Sequence, residues 1–160
     1  MRFISVDRAE GIDAEQFMVR IEPRFPELEI SAPRYAVPDD DWDELEYISL
    51  DVGNRGAWER HYLTWGEIPL QLDVQPSRGG LDAGYLPEEF EARWERDKAS
   101  YNHGDFLWGK RPNYDVITDV YWDDGAFRFH LQVDLEEAGE DVGWDLSDVR
   151  EIVDALSVEG

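Results

Sequence analysis

The run Asp39-Asp40-Asp41-Trp42-Asp43-Glu44 places carboxylates on both sides of one indole. Alternate aspartates at 39, 41 and 43 match the first ligands of a calcium-binding EF-hand loop. That loop needs glycine at its sixth position and a bidentate acid at its twelfth, where this chain has Glu44 and Leu50. The metal reading therefore fails on spacing. What remains is an aromatic anchor inside a negative field, the composition expected where a basic protein docks. The plainer alternative is a solvated acidic loop whose Trp42 covers the core.

Histidine occurs at His61, His103 and His130. If residues 124 and 125, Asp-Gly, form a two-residue hairpin turn, Asp119 faces His130 across two strands. A carboxylate there would orient the imidazole as in an acid–base dyad. No serine sits in a Gly-x-Ser-x-Gly elbow and no His-Glu-x-x-His pair is present, so an ordinary cross-strand polar pair explains the contact without catalysis. Arg78-Gly79-Gly80 joins a base to glycines but lacks the spacing of a phosphate-binding loop and reads as a turn. With 38 acids, some pair of carboxylates must fall at glycosidase spacing, which makes such a pair uninformative. With no cysteine, disulfides, thiolate metal sites and cysteine nucleophiles are excluded. Neither catalytic residues nor a cofactor or metal site are assigned.

The net charge of -23 is unevenly placed. Residues 39–52 hold seven acids and no base and residues 134–160 hold ten acids and one base, so these two segments carry -16 of the total. Segments 1–38 and 53–112 are close to balance. A directional negative field repels nucleic-acid phosphates and anionic lipid and steers basic partners inward.

The elements that hold these residues follow from hydrophobic period. Ile68, Leu70, Leu72 and Val74 alternate with polar residues and predict a strand with one buried face, and Pro69 suggests an edge. Further strands are expected at 2–7, 15–22, 27–31, 45–52, 57–65, 114–122 and 126–135. Residues 53–56 (Gly-Asn-Arg-Gly) and Gly66-Glu67 would close hairpins. The Asp-Gly turn sets Trp122 against Phe127, Val120 against Phe129, Thr118 against Leu131 and Val116 against Val133, one apolar row on one face. Tyr121, Arg128, Asp119, His130 and Gln132 then share the other face, read as solvent or a binding surface.

One helix is expected from Pro87 to Asn102 or Gly104, with Phe90, Trp94 and Tyr101 on a stripe that Asp97 interrupts. A second starts with Asp145 or Ser147 as cap and buries Val149, Ile152, Val153 and Leu156. Residues 76–86 and 104–113 read as long loops. Hairpins with helices inserted late make the class α+β, a single domain over residues 1–160 with a largely antiparallel sheet of six to eight strands and two helices. No apolar run is long enough to span a bilayer, and the first residues meet charge too soon for a signal peptide, so a cytoplasmic location is expected.

In size and acidity the chain resembles immunity proteins that block toxins and, more loosely, phosphate-mimicking inhibitors of DNA-binding proteins. No family motif accompanies the likeness, so no functional residue carries over. It implies a non-enzymatic domain that occludes a basic protein, a toxin or nucleic-acid-binding enzyme among the candidates. The contact residues expected from charge and aromatic placement are Asp39, Asp40, Asp41, Trp42, Asp43, Glu44, Glu136, Glu137, Glu140, Asp141 and Trp144. Two alternatives keep a place. Acid excess with only Lys98 and Lys110 as lysines fits halophile adaptation, and seven tryptophans fit an aromatic-lined pocket in a ligand-binding domain or small enzyme.

Overall fold

The protein was analysed as a computed structural model, which describes residues 2–5, 18–21, 28–30, 34–37, 58–77, 95–98, 104–111, 114–138 and 143–159. It is an α+β fold in which every strand pairing among the described residues is antiparallel. The strands are β1 (Arg2–Ser5), β2 (Met18–Ile21), β3 (Leu28–Ile30), β4 (Arg34–Val37), β5 (Trp58–Trp65), β6 (Ile68–Pro76), β7 (Glu95–Lys98), β8 (Asp105–Gly109), β9 (Asp119–Asp123), β10 (Phe127–Val133) and β11 (Leu156–Glu159). Nine of them form one sheet in the order β1-β4-β5-β6-β10-β9-β8-β7, with β3 also paired to β5, while β11 and β2 form a separate ribbon. The helices are α1 (Leu135–Ala138) and α2 (Leu146–Ala155).

The alternation of β6 decides where the core lies. Leu70, Leu72 and Val74 are fully or almost fully buried, beside Val120 and Trp122 of β9 and Phe129, Leu131 and Val133 of β10. Val149, Ile152 and Val153 of α2 join the same cluster. Asp145 caps α2 as expected: its carboxylate accepts the Asp148 N–H at 3.1 Å, and the Asp148 carboxylate accepts the Asp145 N–H at 2.9 Å. Leu156, expected on the helical stripe, is buried but already extended and opens β11.

Pro69 does not mark an edge, since β6 lies between β5 and β10. The last β10 pair is Val133 with Leu70, so the imino acid falls where that ladder has ended.

The β9–β10 hairpin keeps its predicted faces but not its predicted partners. Trp122 pairs with Phe129, Tyr121 with His130, Val120 with Leu131 and Asp119 with Gln132, two residues from the expected register. Gly125 has φ of +94° and occupies the first central position of a turn over residues 124–127, with Ala126 second. The Asp124 carboxylate accepts the N–H groups of Ala126 at 2.9 Å and Phe127 at 2.7 Å, and so takes over the role of a turn carbonyl. A slip of two leaves side-chain parity unchanged, so Val120 and Phe129 still share the core face. The new register stacks Trp122 on Phe129, with ring centroids 4.9 Å apart.

Two other expectations are corrected. Glu95–Lys98, placed in the first predicted helix, is a strand paired with β8. The acid interrupting the helical stripe at Asp97 was a local conflict with that assignment, and pairing along β8 prevails over the periodicity. Asp105–Gly109, read as loop, is a strand lying between β7 and β9, with Phe106 and Leu107 both buried. A strand covered on both faces reads as a continuous apolar run and gives no alternation to detect. The predicted strand at 45–52, the 53–56 turn and the remainder of the predicted first helix lie outside the described residues.

Candidate functional site

Opposite the core, the strands present a second, polar face. Read across β5, β6, β10 and β9, one row runs Arg60, Asp73, His130, Tyr121 and the next Tyr62, Gln71, Gln132, Asp119. The sequence suggested solvent or a binding surface here. The structure buries it: Asp119 is 1% exposed, Tyr121 and Arg128 4%, and Asp73 8%.

Charges alternate along this face. The Arg60 guanidinium forks onto Asp73 at 2.7 and 2.9 Å. His130 Nδ1 lies 4.0 Å from the Asp73 carboxylate and Nε2 lies 2.8 Å from Asp119 Oδ1. Asp119 also accepts from Arg111 at 3.0 and 3.2 Å and from the Thr118 hydroxyl at 2.7 Å. Amides extend the chain, as Arg111 donates to Gln132, Gln132 to Gln71, and Gln71 to Asp134. The Tyr121 ring stacks on His130 with centroids 4.1 Å apart.

Burial is the largest influence on the Asp119 carboxyl and acts to raise its pKa. The hydrogen bonds from His130 and Arg111, the charge of His130 and the Thr118 hydroxyl outweigh it and hold the group below its ordinary value. Burial first, and the Asp119 charge second, push the Tyr121 hydroxyl far above the usual tyrosine range. For Arg60 burial is the largest single influence and lowers the pKa, but the hydrogen bond and charge of Asp73 together with those of Tyr62 outweigh it, so the pKa is raised.

The predicted Asp119–His130 contact thus exists, although the two residues are diagonal rather than opposite. Both ring nitrogens of His130 face carboxylates, and the one hydroxyl bonded within the pair, that of Thr118, donates to Asp119 rather than to the imidazole. This geometry fixes the imidazole between two carboxylates. Among the described residues no group of three His, Asp or Glu side chains is placed to hold a metal ion.

A different feature lies at the C-terminal end of the fold. Trp108, Lys110, Asp115, Val116, Ile117, Trp144, Asp145 and Leu146 line a depression of about 280 Å³. Trp144 is only 6% exposed and its indole N–H donates to the Ile117 carbonyl at 2.9 Å, which fixes it in the wall. Trp108 is half-buried, whereas Lys110, Asp115 and Asp145 are exposed. The Val133 N–H donates to the Thr118 carbonyl at 2.9 Å. Glu136 and Glu137 on α1 and Glu151 on α2 are exposed.

Of the contact residues expected from sequence, Trp144 lines this depression, and Glu136 and Glu137 are exposed on α1. Asp39, Asp40, Asp41, Trp42, Asp43, Glu44, Glu140 and Asp141 lie outside the described residues. Sequence reasoning placed Trp108 in a loop, beside a glycine, where the structure has a strand, and it missed Arg60, Asp73 and Arg111 because their pairing depends on strand order. Compared with protein-family models, with curated proteins and with solved structures, the chain gives no match in any of the three. Among the described residues no helix is long and apolar enough to cross a membrane.

Proposed function

We propose that this protein is a non-enzymatic binding domain that neutralises a basic protein partner through its acidic C-terminal end. The observation that carries the reading is a depression walled by Trp108 and Trp144 with exposed Asp115 and Asp145 in its lining, in a chain whose segment 134–160 holds ten acids and one base. Long-range charge draws a basic surface in, and an aromatic recess holds an inserted side chain. The acidic run 39–44 belongs to the same proposal on grounds of charge, with a toxin or nucleic-acid-binding enzyme as the class of partner and the cytoplasm as its place of action.

Surface plasmon resonance against an arginine-rich peptide tests this. Glu136→Gln with Glu137→Gln should slow association at low salt and flatten its salt dependence, while Glu29→Gln on β3 with Glu67→Gln in the β5–β6 turn, also exposed, should leave it unchanged. Equal effects from both pairs would reduce the acid to an unspecific field. Asp40, Asp41 and Asp43 changed together to Asn should slow association as well, and Trp42→Ala should mainly speed dissociation. The halophile alternative predicts unfolding below molar salt. Self-repulsion alone predicts that moderate sodium chloride raises the thermal midpoint.

A further inference from the structure

The walls of the depression at the acidic end differ in what they can bond. Trp144 is 6% exposed and its indole N–H is engaged by the Ile117 carbonyl at 2.9 Å, so this wall presents ring surface and no donor. Trp108 on β8 is half-buried in the same lining. Asp115 and Asp145 bring two exposed carboxylates, and Lys110 brings one exposed ammonium.

Asp145 is held by the helix it caps: Oδ1 accepts the Asp148 N–H at 3.1 Å, and its own N–H donates to the Asp148 carboxylate at 2.9 Å. A carboxylate fixed in this way loses little freedom when a donor arrives from outside. Two carboxylates against one ammonium, in a chain of net charge -23, disfavour an anionic occupant. A neutral apolar occupant would cover the carboxylates without bonding them, and desolvating an acceptor without a new bond is costly. The volume of about 280 Å³ falls short of the about 300 to 1,000 Å³ of sites for drug-sized ligands and suits one inserted side chain.

We propose, resting on the reading of this end as a surface for a basic protein, that the depression receives a single arginine side chain of that partner. A guanidinium is planar, weakly hydrated and always charged, so it can stack on an indole while its N–H fork meets a carboxylate. A lysine ammonium is a compact, strongly hydrated charge with no flat face to stack and no fork. Lys110 repels the incoming cation and sets a limit on affinity that its removal should lift.

Titration of the isotope-labelled protein with N-acetyl-arginine amide, followed by NMR through the indole N–H signals of Trp108 and Trp144, tests it. Both signals should shift saturably, and arginine should bind about fivefold or more tighter than the corresponding derivatives of lysine, leucine and citrulline, the last being its uncharged isostere. Trp108→Ala should weaken binding about tenfold, Asp115→Asn about threefold, and Lys110→Gln should strengthen it about twofold. Should Trp108→Ala fail to fold, the probe series on the wild type and the two exposed-site variants still decides. Equal binding of citrulline or lysine, tighter binding of leucine, no saturable shift, or weaker binding in Lys110→Gln would each overturn the proposal. The wider reading fails separately. If an arginine-rich peptide shows no salt-dependent association while the single arginine still shifts Trp108 and Trp144, the arginine recess stands and the basic-protein surface falls. If the peptide associates as charge predicts and Trp108→Ala leaves its dissociation unchanged, the recess falls alone.

Discussion

The two faces of the central sheet are both buried but by different physics. On one, Leu70, Leu72, Val74, Phe129 and Leu131 meet the apolar stripe of α2, and contact is non-directional. On the other, Arg60, Asp73, His130, Asp119 and Arg111 are joined by bonds that each require a particular partner. An apolar face tolerates a shift of packing. A polar one fails at the member that loses its partner. The core face has its own exception: Glu59 and His61 lie there fully buried, 3.0 Å apart, with His61 Nδ1 unpartnered.

Substitutions can break this contrast, and the largest effect belongs to the apolar side. Trp122→Ala removes a side chain with 0% exposure stacked on Phe129, and urea unfolding should show a loss of about 4 kcal/mol. A loss under 1 kcal/mol would mean that this face is far more loosely packed than its burial indicates.

On the polar side, Asp119→Ala strands His130 and Arg111 and should destabilise by about 3 kcal/mol. A double-mutant cycle with Arg111→Ala sharpens the point. Directional pairing predicts that the two losses are strongly non-additive, and simple addition would show that the ladder is a set of independent contacts.

The same carboxylate gives the faces different responses to acid. Because the folded pKa of Asp119 lies below its unfolded value, its stabilisation is present above about pH 4 and is lost as pH falls through the folded pKa. Unfolding free energies measured from pH 5 to pH 2 should fall less steeply in Asp119→Asn than in the wild type. Trp122→Phe should leave the slope unaltered, since it changes only the apolar face.

The smallest effect concerns the turn that joins both faces. Gly125→Ala places a Cβ at φ of +94° and should cost about 1 kcal/mol. Circular dichroism in the tryptophan region should remain native, because strain in the turn does not exchange the faces. A lost Trp122–Phe129 signal would indicate that the register itself depends on this glycine.

The hairpin marks how far local sequence carried. Alternation identified which residues of 119–133 share a face, and it did so despite a register wrong by two, because parity survives a slip of two. It could not choose between Asp124 and Gly125 as the first turn residue. That choice rested on carboxylate-to-backbone bonds formed only once the strands close.

By itself, the sequence determined the α+β class, the faces of β6 and of the β9–β10 hairpin, the start of α2 at Asp145 and the concentration of acid in two segments. Each is a property of neighbours along the chain: a period, a cap or a sum of charge. Tertiary structure alone decided that 95–98 is a strand, that the polar face is buried, and that Arg60 and Arg111 find aspartates. Those outcomes depend on strand order, which brings together residues such as Arg60 and Asp73 or Gln71 and Gln132 from separate strands. No local period records which strands will be neighbours.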